Sequence, residues 1–291
     1  MESMVQRVVR QVRKAELTDN ITLVTNASQL DIIINQLGES VSVVTEPERR
    51  DTFPAIALAA NYLKLAKNCP DDEVVVIMPC DPFTETGYFE TIGKMAVYVE
   101  RNVADLVLMG ITPTYPSEKY GYVVPETNSR NAEGSMKVRQ FTENPNVERA
   151  KKLLSIGALW NGGVFAFRLG YMMEIAQRYV KADSFEEMRS RYSEFPKISF
   201  DYEVAEKADS VAVLPYSGQW KDLGTWNTLT DELHHHIIGN AVMKNCQSRQ
   251  THDSPLGRQR YRVHLHWSSR WRETLRGTPC HQGEHQANRT S

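Results

Sequence analysis

No Gly-x-Gly-x-x-Gly and no Gly-x-x-x-x-Gly-Lys-Ser/Thr occurs in the chain. Neither the dinucleotide fingerprint nor the P-loop is therefore present to cradle phosphates on backbone amides. Cys-x-x-Cys spacing is also missing. Cys69, Cys80, Cys246 and Cys280 are scattered, which suggests neither a zinc knuckle nor a disulfide framework and leaves free thiols as the expectation. Long apolar runs are lacking too. Val74 to Met78 and Ala55 to Ala60 are far too short to span a bilayer, and the first ten residues contain no apolar core of a signal peptide. A cytoplasmic protein that does not engage a membrane is expected. A formal net charge of −2 over 291 residues gives no electrostatic case for nucleic acid as a partner.

What is present is an apolar period that alternates between two and about 3.6, the pattern of βα repetition and of an α/β fold with a largely parallel sheet. Met4, Val5, Val8, Val9 and Val12 recur at helical spacing, and Ile21 to Thr25 reads as a strand. A helix over Ala27 to Gln36 leads to a strand over Val41 to Thr45. Pro54 sits where a first helical turn tolerates it, ahead of an Ala- and Leu-rich helix to Lys67. Glu73 to Met78 is a buried strand, Gly87 to Arg101 a helix and Ala104 to Ile111 another strand. Shorter strands follow at Tyr120 to Val124, Val138 to Thr142 and Gly163 to Phe167, with helices at Val147 to Leu154 and Tyr171 to Tyr179. The pattern describes one α/β domain over residues 1–245 with an inserted mixed region.

Composition changes abruptly near Cys246. Residues 1–246 hold 13 Lys and 13 Arg, whereas 247–291 hold no Lys, no Ile and no Phe, with 8 Arg and 5 His. Such a stretch has little apolar content to offset its ordering entropy. Residues 246–291 are expected to be a disordered basic tail or the product of a shifted reading frame, with no function assigned.

Two carboxylates stand out. Asp81, in Met78-Pro-Cys-Asp81-Pro82, follows a predicted central strand at its carboxyl end, where open α/β sheets bind ligands; an Asp before Pro is also an ordinary turn former. Asp222 lies between two aromatics in Trp220-Lys-Asp222-Leu-Gly224-Thr-Trp226, and those tryptophans could equally be core. Taken together, two Asp from distant segments suit magnesium, which takes one or two carboxylates plus substrate phosphates and water. His234, His235 and His236 do not suit a metal, because consecutive helical side chains point about 100° apart.

The ordered set of motifs resembles the mannose-1-phosphate guanylyltransferase (GDP-mannose pyrophosphorylase) family over residues 1 to about 245. The matches are Glu46-Pro-Glu-Arg-Arg-Asp-Thr52, Pro79-Cys-Asp81, Tyr120-Gly121-Tyr122, Glu143-Asn-Pro145, Trp160-Asn161-Gly-Gly, Asp201-Tyr202 and the Asp222 turn. The resemblance implies a nucleotidyltransferase of GT-A-like fold, a mixed and mostly parallel sheet flanked by helices. It implies transfer of GMP from GTP to mannose 1-phosphate, with Mg2+ held by Asp81 and Asp222. Glu46, Arg50 and Thr52 would lie near the guanine, and Gly121, Glu143, Asn161 and Asp201 around the sugar. Amides and carboxylates that donate and accept together suit the vicinal hydroxyls of a hexose, and a glycine lets backbone approach the sugar. Each residue also has an ordinary reading: a strand bend at Gly121, a cap at Asn161, a turn charge at Glu143, a solvated pair at Arg49 and Arg50.

Departures from the family pattern are equally specific. The Gly-rich signature loop with its catalytic Arg and Lys is expected before Met1, and the usual Glu-Lys-Pro is Glu143-Asn144-Pro145. Pro82 stands for the usual His and Gly162 for the usual Ser. The tail replaces a C-terminal β-helical segment. On these grounds slow turnover is expected of the chain as written, and a non-catalytic sugar-nucleotide-binding or regulatory homologue is the alternative. Oligomeric state is open between monomer and homo-oligomer.

Overall fold

The computed structural model describes residues 2–126, 129–131, 134–222 and 262–266. Helix α1 (Met4–Lys14) forms where valines recur along one stripe; Val5, Val8, Val9 and Val12 are all buried, and Ser3 and Gln6 close a capping box at its start. Strand β1 (Asn20–Asn26), helix α2 (Leu30–Leu37) and strand β2 (Ser42–Glu46) follow. The helix expected from Ala27 begins only at Leu30 because Ala27–Gln29 forms a 3-10 turn. Helix α3 (Thr52–Asn61) starts earlier than its apolar run, since the Asp51 side chain accepts from Thr52 N at 2.7 Å and caps it. It continues as a π turn over Tyr62–Ala66.

Strand β3 (Val74–Pro79), the short β4 (Pro82–Thr84), helix α4 (Thr86–Glu100) and strand β5 (Leu106–Ile111) form the centre. The chain then runs through β6 (Tyr122–Pro125), β7 (Met136–Thr142), α5 (Val147–Ser155) and β8 (Leu159–Arg168). Strand β8 begins well before the expected Gly163, so Trp160 and Asn161 are strand residues and not a cap. Helices α6 (Leu169–Ala176), α7 (Phe185–Ser190) and α8 (Phe200–Glu203) lead to β9 (Val211–Tyr216) and β10 (Trp220–Asp222), with β11 (Arg262–His266) beyond.

The main sheet has the order β2-β1-β11-β3-β8-β5-β9-β7-β6, and β10 pairs with β4 in a separate two-stranded sheet. The sheet is mixed, but less parallel than the periodicity suggests. Parallel ladders join β2, β1, β11 and β3, and also β5 to β9; β8 runs antiparallel to β3, β5 and β6. Apolar runs identify buried strands but not their direction. Residues 262–266 also depart from the expected unordered tail: they lie between β1 and β3, parallel to both. Val263 and Leu265 alternate with polar residues at the period of a strand. The rest of 246–291, the His234–His236 run, Cys246 and Cys280 lie outside the described residues; Cys69 and Cys80 are buried free thiols.

Period two in the strands explains the two-faced core. Val74, Val76 and Met78 pack with α1 and α4 through Val8, Val12, Ile92 and Met95. Val75 and Ile77 turn to the other face, against Phe53, Leu58 and Met172. In β5 a Cβ at Gly110 would lie 2.5 Å from Leu159 Cδ1 and 2.7 Å from Val213 Cγ2, beside a register shift in the β5–β8 ladder. Gly110→Ala is expected to destabilise the domain by about 1–3 kcal/mol through overpacking, read as a lowered midpoint in thermal unfolding. An unchanged midpoint would show that the strands part freely there. Among the described residues no helix is long and apolar enough to cross a membrane.

Candidate active site

A cleft of about 660 Å3 opens at the carboxyl ends of β2 and β3, where the geometry of open α/β sheets places ligands. It gathers residues far apart in sequence. Glu46, Arg50, Thr52, Asp81, Gly121, Glu143, Asn161 and Asp201 all line it. The side chain of Asp222 lies outside the described residues, but its backbone is paired with Pro82 in the β10–β4 ladder. Paired residues in an antiparallel ladder have Cα atoms about 4.5–5.5 Å apart and neighbours in sequence about 3.8 Å apart. The Cα atoms of Asp81 and Asp222 therefore lie within about 9 Å of each other. Gln219 N and Tyr216 Oη both donate to Glu85 Oε1, at 3.1 and 3.3 Å, and tie the β10 approach to the start of α4.

One end of the cleft is built around the β2–α3 loop. Glu46 Oε1 accepts from Tyr192 Oη at 2.8 Å; burial raises this carboxyl above its ordinary range, and the Tyr192 hydrogen bond opposes the shift. Arg50 donates from Nε to Glu48 at 2.6 Å and from Nη1 to the Phe195 carbonyl at 2.7 Å. It is thus a brace and not a solvated surface charge. Thr52 Oγ1 accepts from Phe200 N at 2.8 Å and Phe53 N donates to Ile198 O at 3.2 Å, so α3 holds the start of α8 against the cleft.

The other end is an acid and amide cluster. Asn161 N donates to Gly121 O at 2.8 Å. The Asn161 side chain donates to Asp201 Oδ1 and accepts from Gly163 N at 3.1 Å. Asn161 therefore links β8 to the 120–122 loop and to α8. Burial, then the Asp201 and Glu206 carboxylates, push Glu143 up to about 7, against a hydrogen bond from Asn161. Burial likewise raises Asp201, with the Asn161 bond opposing. A Cβ at Gly121 would meet Glu143 Oε1 at 2.3 Å, so the absence of a side chain there makes room for that carboxyl.

The Glu143 shift has a testable sign. Its folded-state value lies above the ordinary 4.5, so the native state holds the proton more tightly and its contribution to stability is fully present below about 4.5 and lost as pH rises through 7. Glu143→Gln is expected to melt close to the unaltered protein at about pH 4.5 and above it at about pH 8. Parallel melting curves for the two proteins across that range would place the titration elsewhere.

Several lining residues carry no sequence signal. Lys119 and Lys197 line the cleft, each an isolated lysine in a loop. Trp220 also lines it, while its ring packs on Tyr120 at 5.2 Å and on Trp160 at 6.2 Å, so it serves core and cleft together. Asn144 takes a left-handed φ of 40° and is not among the cleft residues. Among the described residues no group of three or more His, Cys, Asp or Glu forms a metal cage.

A mixed sheet covered on both faces, with a polar cleft at its strand ends, defines an α/β protein of the kind that binds phosphorylated metabolites. The chain belongs to the nucleotidyl transferase family, whose profile matches residues 1–237. It is 28% identical to the alginate biosynthesis protein AlgA of Pseudomonas syringae over 79% of this chain and 52% of that protein. It is 31% identical to a mannose-1-phosphate guanylyltransferase of Salmonella montevideo over 78% and 52%. The chain thus spans about half the length of the curated relatives it matches. The crystal structure of a Thermus thermophilus protein titled mannose-1-phosphate geranyltransferase shares the fold, with a TM-score of 0.67 at 24% identity over 81% of this chain and 70% of that one.

Proposed function

We propose that this protein is a cytoplasmic GTP-dependent nucleotidyltransferase that joins GMP to mannose 1-phosphate, giving GDP-mannose and pyrophosphate. The observation that carries this reading is the meeting, in one cleft, of eight residues selected from distant sequence motifs. The relatives named mannose-1-phosphate guanylyltransferase support the choice of substrates.

In the reaction a phosphate oxygen of mannose 1-phosphate attacks the α-phosphorus of GTP in line, and the bond from that phosphorus to the β-phosphate oxygen breaks. Both reactants are anions, so the work is positioning and charge neutralisation. Gly121 offers backbone to the hexose, Asn161 presents its amide, and Glu143 and Asp201 accept from hydroxyls. Glu46, Arg50 and Thr52 shape the end that takes the guanine. Asp81, in the cleft, and Asp222, held beside it through the Pro82 pairing, would hold magnesium; hard oxygen donors in a pair fit that ion, which completes its shell with phosphates and water. When bound, it withdraws charge from the α-phosphate.

A pyrophosphate-release assay with GTP, mannose 1-phosphate and Mg2+ tests the reading. Release that needs both substrates, and falls when ATP replaces GTP, supports it. Saturable binding of GDP-mannose without turnover favours a non-catalytic sugar-nucleotide-binding role, and release indifferent to mannose 1-phosphate contradicts the reading.

A further inference from the structure

The geometry points to Lys119 as the cation that holds the phosphate of the hexose 1-phosphate, and so makes the Gly121 end of the cleft selective for a phosphorylated sugar. This rests on the proposed transferase reading. The cleft is rich in carboxylates, with Glu46, Asp81, Glu143 and Asp201 on its walls. An anionic substrate entering such a wall needs a local counter-charge. Four basic residues line the cleft: Arg49, Arg50, Lys119 and Lys197.

Three of them belong to the Glu46–Thr52 end. Arg50 is engaged by Glu48 and the Phe195 carbonyl. Arg49 acts electrostatically on Glu46, and Lys197 on Glu48. Lys119 stands two residues before Gly121, beside the amide and acid cluster.

Its loop is built to hold it there. Ser117 is buried; its N donates to Tyr122 Oη at 2.9 Å, and that hydroxyl donates back to Ser117 O at 2.9 Å. Lys119 N donates to Ser117 Oγ at 3.1 Å. The neighbouring acid is drawn away, since Glu118 Oε1 accepts from Val147 N at 3.2 Å at the start of α5. The Lys119 ammonium is exposed and has no ion pair among the described residues. A lysine on a fixed loop is a point charge with three donors, which suits a phosphate.

Titration of mannose 1-phosphate, glucose 1-phosphate and free mannose into the 291-residue chain tests this, with tryptophan fluorescence and ligand-observed NMR as readouts. Lys119→Met is expected to weaken the preferred hexose 1-phosphate about ten- to hundredfold, as for loss of a charged hydrogen bond. Binding of free mannose should be unchanged, and Lys119→Arg should restore most of the affinity. Unaltered hexose 1-phosphate binding in Lys119→Met, or an equal loss for free mannose, overturns the assignment. If Lys119 dependence appears with glucose 1-phosphate and not with mannose 1-phosphate, the assignment stands and the mannose reading falls. A chain that binds no hexose 1-phosphate overturns both.

Discussion

Asp81→Asn is expected to lower pyrophosphate release from GTP and mannose 1-phosphate by about 10²-fold or more, with little change in thermal stability. The residue follows β3, whose Val75, Val76, Ile77 and Met78 are buried and fix its end in space. Its carboxyl faces the cleft where β4 begins, and the β10–β4 ladder brings residue 222 to the same edge. Asn preserves size and one oxygen but removes the charge. If Asp81 were only a turn former before Pro82, Asn would serve almost as well, because both side chains make the same local turn bonds. The substitution therefore separates the structural role from the electrostatic one. Retention of full activity in Asp81→Asn would assign the residue to the turn.

Gly121→Ala is expected to weaken hexose 1-phosphate binding by roughly ten- to hundredfold, the effect of losing one or two well-placed hydrogen bonds to a charged group, while the protein still folds. The added Cβ would lie 2.3 Å from Glu143 Oε1, 2.9 Å from its Cδ and 3.0 Å from Oε2. No backbone atom is among these contacts, so the strain is relieved by moving the far end of one side chain. The carboxyl that must move is the one pushed up to about 7 by burial and by Asp201 and Glu206. The cost thus falls on the sugar end of the cleft and not on the core. A calorimetric titration alongside a melting curve checks both halves: unchanged affinity removes Glu143 from the sugar site, and a collapsed melting transition shows that the loop is part of the core. Gly110→Ala, by contrast, drives a methyl group into Leu159 and Val213 inside the sheet and should act on stability.

The two glycines show what a sequence can and cannot convey. Tyr120-Gly121-Tyr122 was legible as a close-approach point, yet the neighbour that needs the space, Glu143, is fixed only by strand pairing between β6 and β7. Buried strands and amphipathic helices were readable because their periodicity is local: the valines of α1 and the run of β3 need no knowledge of partners. Strand direction was not, since β8 is apolar whether it runs with or against β3. Strand β9, helices α7 and α8, and β11 were not marked by periodicity; the helices are only six and four residues long, too short to reveal a period. Arg50 was ambiguous because its partners, Glu48 and Phe195, include one 145 residues away. Lys119 and Lys197 carried no motif at all, and only the fold shows that they border the cleft.

The claim that the cleft is a sugar-nucleotide site with a carboxylate-held metal is tested most directly by calorimetric titration of GDP-mannose into the 291-residue chain, with and without Mg2+. One saturable site is predicted, tightened by Mg2+, weaker for UDP-glucose, and stripped of its Mg2+ dependence by Asp81→Asn. Absence of saturable binding, or binding whose Mg2+ dependence survives Asp81→Asn, would contradict the account.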